Sequence, residues 1–434
     1  MARPVRSTSL SAPLSENSPK QDLIVFGEEY QRHPHSLEHL IKYLTKDYRV
    51  LWVETIGLRS PRFNAHDVAR IAELLAKWPR RWMHPAPPAH ASDERHPLVI
   101  APVQIPYNQF TWIRRVNRWL LKTSLAKAIR RHQLHPLAMV TAVPQTALLI
   151  DDPLFRSWCN IYYCVDEFSL WPGINLHVAR AFEETLLQNV DHLIVTSTAL
   201  FQSKRRPRLP CPEILDHGVD LDHFILEDSA AAPSLHDDRH LRLGLFGLLD
   251  ERTDEELLSR LLARMPSLRL FVIGKRVCDF SWADPFLASD QIVLCDRVSY
   301  EELPRLLATL QLDAFILPYK RNELTRHINP LKLKEYMATG KHVFATPIDE
   351  AVKWQSSLHI ISDVESCLGE LAELLRKKRA GLPLMAAEQR QRLEDYLRSH
   401  ETWEAKSHVL HGWIQDWSRR EQPAPVPETV AGAL

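Results

Sequence analysis

From Asp22 onward the apolar positions switch between two periods. Short apolar runs alternate with segments whose apolar residues recur every three to four positions. DLIVFG is followed by SLEHLIKYL and then by YRVLWVET, the pattern of a parallel βαβ unit. Further strands are expected at PLVIAP (97–102), LAMVTA (137–142), NIYYCVD (160–166) and DHLIVTS (191–197), which fill a first domain over 21–224. The polar, small-residue stretch 225–240 reads as a linker. A second series follows, with strands LRLGLFG (241–247), LRLFVIG (268–274), QIVLC (291–295), LDAFILP (312–318) and KHVFATP (341–347). Helices at DEELLSRLLARM, SYEELPRLLATL and PLKLKEYMAT separate them. The reading is α/β, with two doubly wound domains, the second over 241–384 and its ligand at the carboxyl ends of its strands. Residues 385–417 read as C-terminal helices, the last of them Trp-rich and expected to return to the first domain. The Ser/Pro-rich leader 1–20 and the Pro-rich tail 418–434 are expected to be disordered.

Composition narrows the function. A chain of 434 residues exceeds what one core serves, and its 54 Lys and Arg balance its 54 Asp and Glu. That balance argues against a dedicated nucleic-acid binder. The six cysteines form no CxxC pair, so neither a zinc site nor a disulfide framework is expected, and a reducing cytoplasm fits. Uncharged stretches such as 137–150 are too short and too broken to span a bilayer. No GxGxxG follows a predicted strand, which disfavours a dinucleotide oxidoreductase.

The richest stretch is NPLKLKEYMATGKHVFATP, residues 329–347. Asn329 suits an N-cap, Pro330 the first helical position and Gly340 the stop, predicting a helix over about 330–339. The free N–H groups of its first turn would attract a phosphate, with Leu331 and Lys332 at that end. Glu335 stands three residues on, on the same face, where it could accept bonds from both hydroxyls of a ribose attached to that phosphate. An exposed Lys332–Glu335 ion pair is the alternative reading of the same spacing.

The stretch resembles the donor-nucleotide motif of retaining GT-B glycosyltransferases. YYCVDEF (162–168), FEETLLQNVDHLIVTSTAL (182–200), DHGVDLDHF (216–224) and LFGLLDERTDEELL (245–258) follow in the family's order, so the resemblance runs from about Asp22 to Trp417. It implies two Rossmann-like domains facing across a cleft, and a nucleotide diphosphate sugar as donor. Glu335 would then bind the donor ribose and the turn Asn329–Pro330–Leu331–Lys332 the diphosphate. Gly274 and the loop holding Arg297 and Val298 would flank the base, and Gly247 and Arg252 would line the phosphate side. No catalytic metal or other cofactor is expected of this family, and the DLD at 220–222 lies in an interdomain turn where it is read as unrelated to metal. The chain departs from the family pattern in two respects. Leu248 and Thr253 stand where an Arg and a Lys are frequent, leaving Arg252 as the substitute, and His327 takes the place of the first Glu of an E-x7-E pair.

On the acceptor side, Asp166 falls where many relatives carry a cleft-facing His, and a carboxylate there can orient or deprotonate an acceptor hydroxyl. His33, His35 and Ser36 follow the first strand at the same edge. No acidic residue lies between Glu94 and Asp151, whereas Arg114, Arg115, Arg118 and Lys122 are interleaved with Trp112, Trp119 and leucines, as in segments that meet an anionic membrane surface. The expected protein is a cytoplasmic glycosyltransferase, peripheral at the inner face of the plasma membrane. It would act on a saccharide or lipid-linked acceptor in cell-surface polysaccharide synthesis, with retention. A nucleotide-sugar epimerase and a catalytically silent scaffold subunit are the alternatives.

Overall fold

The computed structural model describes residues 20–32, 35–58, 96–226, 239–275 and 290–421. His33, nearly all of the leader, most of the 225–240 stretch and the end of the tail lie outside the described residues. The first domain runs β1 (Gln21–Gly27), α1 (Ser36–Leu44), β2 (Tyr48–Glu54), β3 (Leu98–Ile100), α2 (Thr111–His132), β4 (Pro136–Thr141), β5 (Cys159–Cys164), α3 (Leu176–Asn189), β6 (His192–Val195), α4 (Thr198–Lys204), β7 (Glu213–Ile214) and α5 (Leu221–Phe224). Its parallel sheet has the order β3-β2-β1-β4-β5-β6-β7. The second continues with β8 (Leu241–Phe246), α6 (Glu255–Arg264), β9 (Leu268–Ile273), β10 (Ile292–Cys295), α7 (Leu303–Leu310), β11 (Ala314–Leu317), α8 (Glu323–His327), α9 (Leu331–Ala338), β12 (His342–Ala345), α10 (Asp349–Val352), β13 (His359–Ile360) and α11 (Val364–Arg379). Here the order is β10-β9-β8-β11-β12-β13, again parallel. Helices cover both faces of each sheet, so central strands such as β5 and β11 are buried along their whole length and read as unbroken apolar runs.

In the second sheet the strand order reverses between β8 and β11, and a ligand crevice opens at such a switch point. The loops leaving those two strands carry Gly247 and Arg252 on one side and Tyr319 and Asn329 on the other.

After α11 come α12 (Ala387–Tyr396), a π-turn (Leu397–Glu401) and α13 (Trp403–Glu421). Helix α13 crosses back to the first domain. Trp403, Leu410, Ile414 and Trp417 are buried in one cluster with Leu23, Val25, Leu37, Leu40 and Ile41. His39 stacks on Trp403 at 5.0 Å and His192 on Trp417 at 3.8 Å. Where the chain crosses, four charges gather, three of them buried and the fourth, Asp216, half-buried. Lys334 Nζ donates to Asp216 Oδ2 at 2.7 Å and pairs with Glu401, while Lys406 reaches Asp216 at 2.6 Å and Glu401 at 2.9 Å. Two cations facing two anions leave no net buried charge, the condition under which such a cluster is tolerated. Burial alone would raise the Asp216 carboxyl, but the two lysines hold it well below the usual carboxylate range.

Candidate functional site

Two glycines shape the turn after β8. Gly247 has φ +99°, and a Cβ there would also lie 2.4 Å from Lys332 Cε. Gly274, at φ +135° after β9, would place a Cβ 2.3 Å from the Gly247 carbonyl oxygen. Only residues without a side chain let these turns nest and leave a channel for Lys332.

Helix α9 is fixed against the same turn. The Tyr336 hydroxyl donates to the Phe246 carbonyl at 3.0 Å and accepts from the Phe246 N–H at 3.1 Å. With Leu333, Tyr336 and Met337 buried, Lys332 and Glu335 share the half-buried face of the helix. The helix begins one residue later than the sequence suggests. Pro330, not Asn329, is the N-cap, because the Asn329 amide donates across the cleft to the Thr196 carbonyl at 2.8 Å. Ser197 Oγ donates to the His327 carbonyl at 2.7 Å, so the two domains meet at this corner.

Lys332 Nζ donates to the Leu248 carbonyl at 2.6 Å and lies 5.9 Å from the centre of the Tyr319 ring. Beside it, buried Arg252 uses Nε and Nη2 on the Asp250 carboxylate. Its guanidinium lies between the Tyr319 ring, 5.3 Å away, and the Trp171 ring of the first domain, 5.1 Å away. Burial pushes the Glu335 carboxyl up to about 7 despite Lys332. Burial, reinforced by Arg252, pushes Lys332 down to about 7. No described residue hydrogen-bonds the Glu335 carboxylate.

Asp166 faces this cluster from the first domain. Burial raises its carboxyl to about 7, with Arg252 opposing and Glu28 adding to the rise. Its loop is anchored by the next residue, for Glu167 accepts from buried Lys204 at 2.5 Å and from Ser169 Oγ at 2.7 Å. Lys204 also holds Glu183 at 2.7 Å.

The structure therefore brings Gly247, Arg252, Gly274, Lys332 and Glu335 to one crevice, with Asp166 opposite. Arg297 and Val298 follow the edge strand β10, two strands from β8. Tyr300, at the end of that loop, has its hydroxyl pKa raised by burial and then by the charge of Glu335. At the start of α1, Ser36 is buried and burial pushes the His35 ring down to about 4, its Nε2 without a partner. On α2, Arg118 pairs with Asp151 at 2.5 Å and Lys122 with Asp152 at 2.8 Å, Arg114 is half-buried and Arg115 is exposed. Trp112 and Trp119, 62% and 64% exposed, flank Arg115. Sequence reasoning missed Trp171, Asp250 and Tyr319. The Asp-x-Arg spacing at 250–252 was the one local signal available.

No family model matches the sequence, and no curated protein matches it. Solved structures do. Sucrose-phosphate synthase from Thermosynechococcus elongatus superposes with a TM-score of 0.66 at 12% identity, over 92% of this chain and 100% of that one. Anabaena HepE, solved in complex with UDP-glucose, gives 0.59 at 10% identity over 91% and 99%. The α,α-trehalose 6-phosphate synthase from Burkholderia multivorans gives 0.54 at 13% identity over 93% and 100%. The chain has the GT-B fold. At such identities the likeness carries the architecture, and the chemistry of this GT-B protein rests on the residues described above.

Proposed function

We propose that the protein is a glycosyltransferase that moves a sugar from a nucleotide diphosphate sugar to a saccharide or lipid-linked acceptor, with retention, in cell-surface polysaccharide synthesis. One observation carries the reading: Lys332, Arg252 and Glu335 converge at the switch point of the second sheet, with Asp166 facing them from the first domain. In this reading Glu335 accepts from the ribose hydroxyls. Lys332 and Arg252 meet the charge that develops on the departing diphosphate, the role of preorganised cations in such a site. Asp166 orients the acceptor hydroxyl or takes its proton. That HepE was solved with UDP-glucose supports a nucleotide sugar as the donor class.

The test is thermal stabilisation by UDP-, GDP-, ADP- and TDP-sugars, followed by a transfer assay with the donor that stabilises. Binding shifts the melting temperature by mass action, so one class should stand out. No shift with any of them would remove the proposal, and binding without transfer to any acceptor would favour the scaffold reading.

The exposed Trp112–Arg115–Trp119 stripe on α2 supports contact with an anionic bilayer. Among the described residues no helix is long and apolar enough to cross one. Because Arg118 and Lys122 are paired with aspartates, Arg115 is the most informative charge to remove. Arg115→Gln should lower partition onto anionic vesicles about fivefold, the worth of one charge near the surface. Vesicle sedimentation measures it, and equal partition of the variant and the wild type counts against membrane contact through α2.

A further inference from the structure

Trp171 lies in the anchored loop that also carries Asp166, five residues further on, and is half-buried. Its ring rests on the guanidinium of Arg252, which belongs to the other domain. The indole Nε1 is buried and has no hydrogen-bond partner. A buried N–H without an acceptor costs free energy, so its retention in a polar cleft calls for an explanation. Arg252 poses the same question. Its Nε and Nη2 are used on Asp250, which leaves Nη1, in the guanidinium stacked on the indole, with no hydrogen-bond acceptor among the described residues. Two neighbouring donors, one of them cationic, want one anionic oxygen. Asp250 is already engaged by Arg252, and Asp166, whose carboxyl burial raises to about 7, does not hydrogen-bond the indole.

We propose that Trp171 is a substrate-binding residue of the transfer site, whose indole N–H, held against Arg252, donates to a phosphate oxygen of the bound substrate. The inference rests on the glycosyltransferase reading and deepens it, by giving the first domain a direct contact to the phosphate held by the second. A ligand that supplies this oxygen is read by both domains at once. The phosphate belongs either to the donor's diphosphate or to a phosphorylated acceptor, and the experiment separates the two.

Trp171→Phe keeps an aromatic ring over Arg252 and removes the N–H together with the pyrrole part of the indole. Calorimetry with UDP, GDP, ADP and TDP first finds the nucleotide that wild type binds. If none binds, the glycosyltransferase reading itself fails. With the matched nucleoside diphosphate, W171F should bind about tenfold more weakly, the worth of one hydrogen bond to a charged group, while the affinity for the nucleoside alone stays unchanged. The indole ¹H–¹⁵N resonance of wild type that disappears in W171F should move downfield when the nucleotide is added. A structural role alone would not produce that shift. Unchanged nucleotide affinity, with the same resonance moving on addition of glucose 6-phosphate as a model sugar phosphate, assigns the contact to a phosphorylated acceptor. Equal affinities and a resonance still under both probes overturn the proposal. Trp171→Leu, which removes the ring as well, guards against a Phe variant that shifts its ring: where the contact is to the nucleotide it should lose at least as much affinity as W171F, and full wild-type nucleotide affinity in W171L, with a wild-type indole resonance that stays still on addition of glucose 6-phosphate, overturns the proposal equally.

Discussion

Asp166→Asn is expected to cut sugar transfer about 10²- to 10⁴-fold while leaving donor affinity nearly unchanged. The substitution keeps shape and removes charge and basicity. The loop that presents Asp166 is held by Glu167 and Lys204, so the amide should stay in place. Burial raises the Asp166 carboxyl to about 7, which makes it a stronger base than an exposed aspartate and leaves it half-ionised near neutrality. The wild-type rate should therefore climb as pH rises through about 7, and this limb should be absent from the Asn variant. Transfer rates from pH 5.5 to 8.5, with circular dichroism on the same samples, measure both effects. A wild-type rate in the variant removes Asp166 from the mechanism.

Glu335→Ala should weaken binding of the matched nucleoside diphosphate by about 2–3 kcal/mol, roughly 30- to 150-fold, because hydrogen bonds from two hydroxyls to a carboxylate are lost. The competent site pairs an ionised Glu335 with a charged Lys332, and burial brings both groups to about 7. Affinity should then peak near pH 7 and fall on either side, the acid limb vanishing in Glu335→Gln. Stability should run the other way. A carboxyl whose folded pKa lies above its unfolded value contributes stability that is present at low pH and is lost as pH rises from about 4.5 to about 7. E335Q should accordingly melt higher than wild type at pH 8 and not at pH 4.5, while binding nucleotide worse at pH 8. Unchanged nucleotide affinity in both variants would return Glu335 to the status of a helix surface residue.

What was legible in the sequence was local. Parallel strands buried on both faces leave unbroken apolar runs, which is why β8, β9, β11 and β12 could be placed within a few residues. Lys332 and Glu335 share a face by helical periodicity alone, whatever the rest of the chain does. What escaped depends on contacts distant in sequence. Asn329 has the side chain of an N-cap, but its amide is taken by Thr196, 133 residues away. The basic run on α2 looked unopposed until the fold set Asp151 beside Arg118, 33 residues apart. Arg252 was visible only as the nearest cation to an expected position, since its aromatic neighbours Trp171 and Tyr319 come from other segments. No local pattern reports such neighbours.

The return of α13 also bears on how the chain is made. A ribosome delivers residues 21–224 long before Trp403, Leu410, Ile414 and Trp417 leave the exit tunnel, yet these four complete the apolar face formed by Leu23, Val25, Leu37 and Ile41. During synthesis the N-terminal half must wait with that face uncovered, at the usual elongation speed of about 5–20 residues per second for some ten seconds or more. The nascent domain is thus a natural client for chaperones, and its final consolidation is timed by the emergence of α13 from the ribosome. Placing a stop codon before Trp403 would leave the first domain permanently in that waiting state, and it should be recovered in inclusion bodies even though every residue of its own sheet is present.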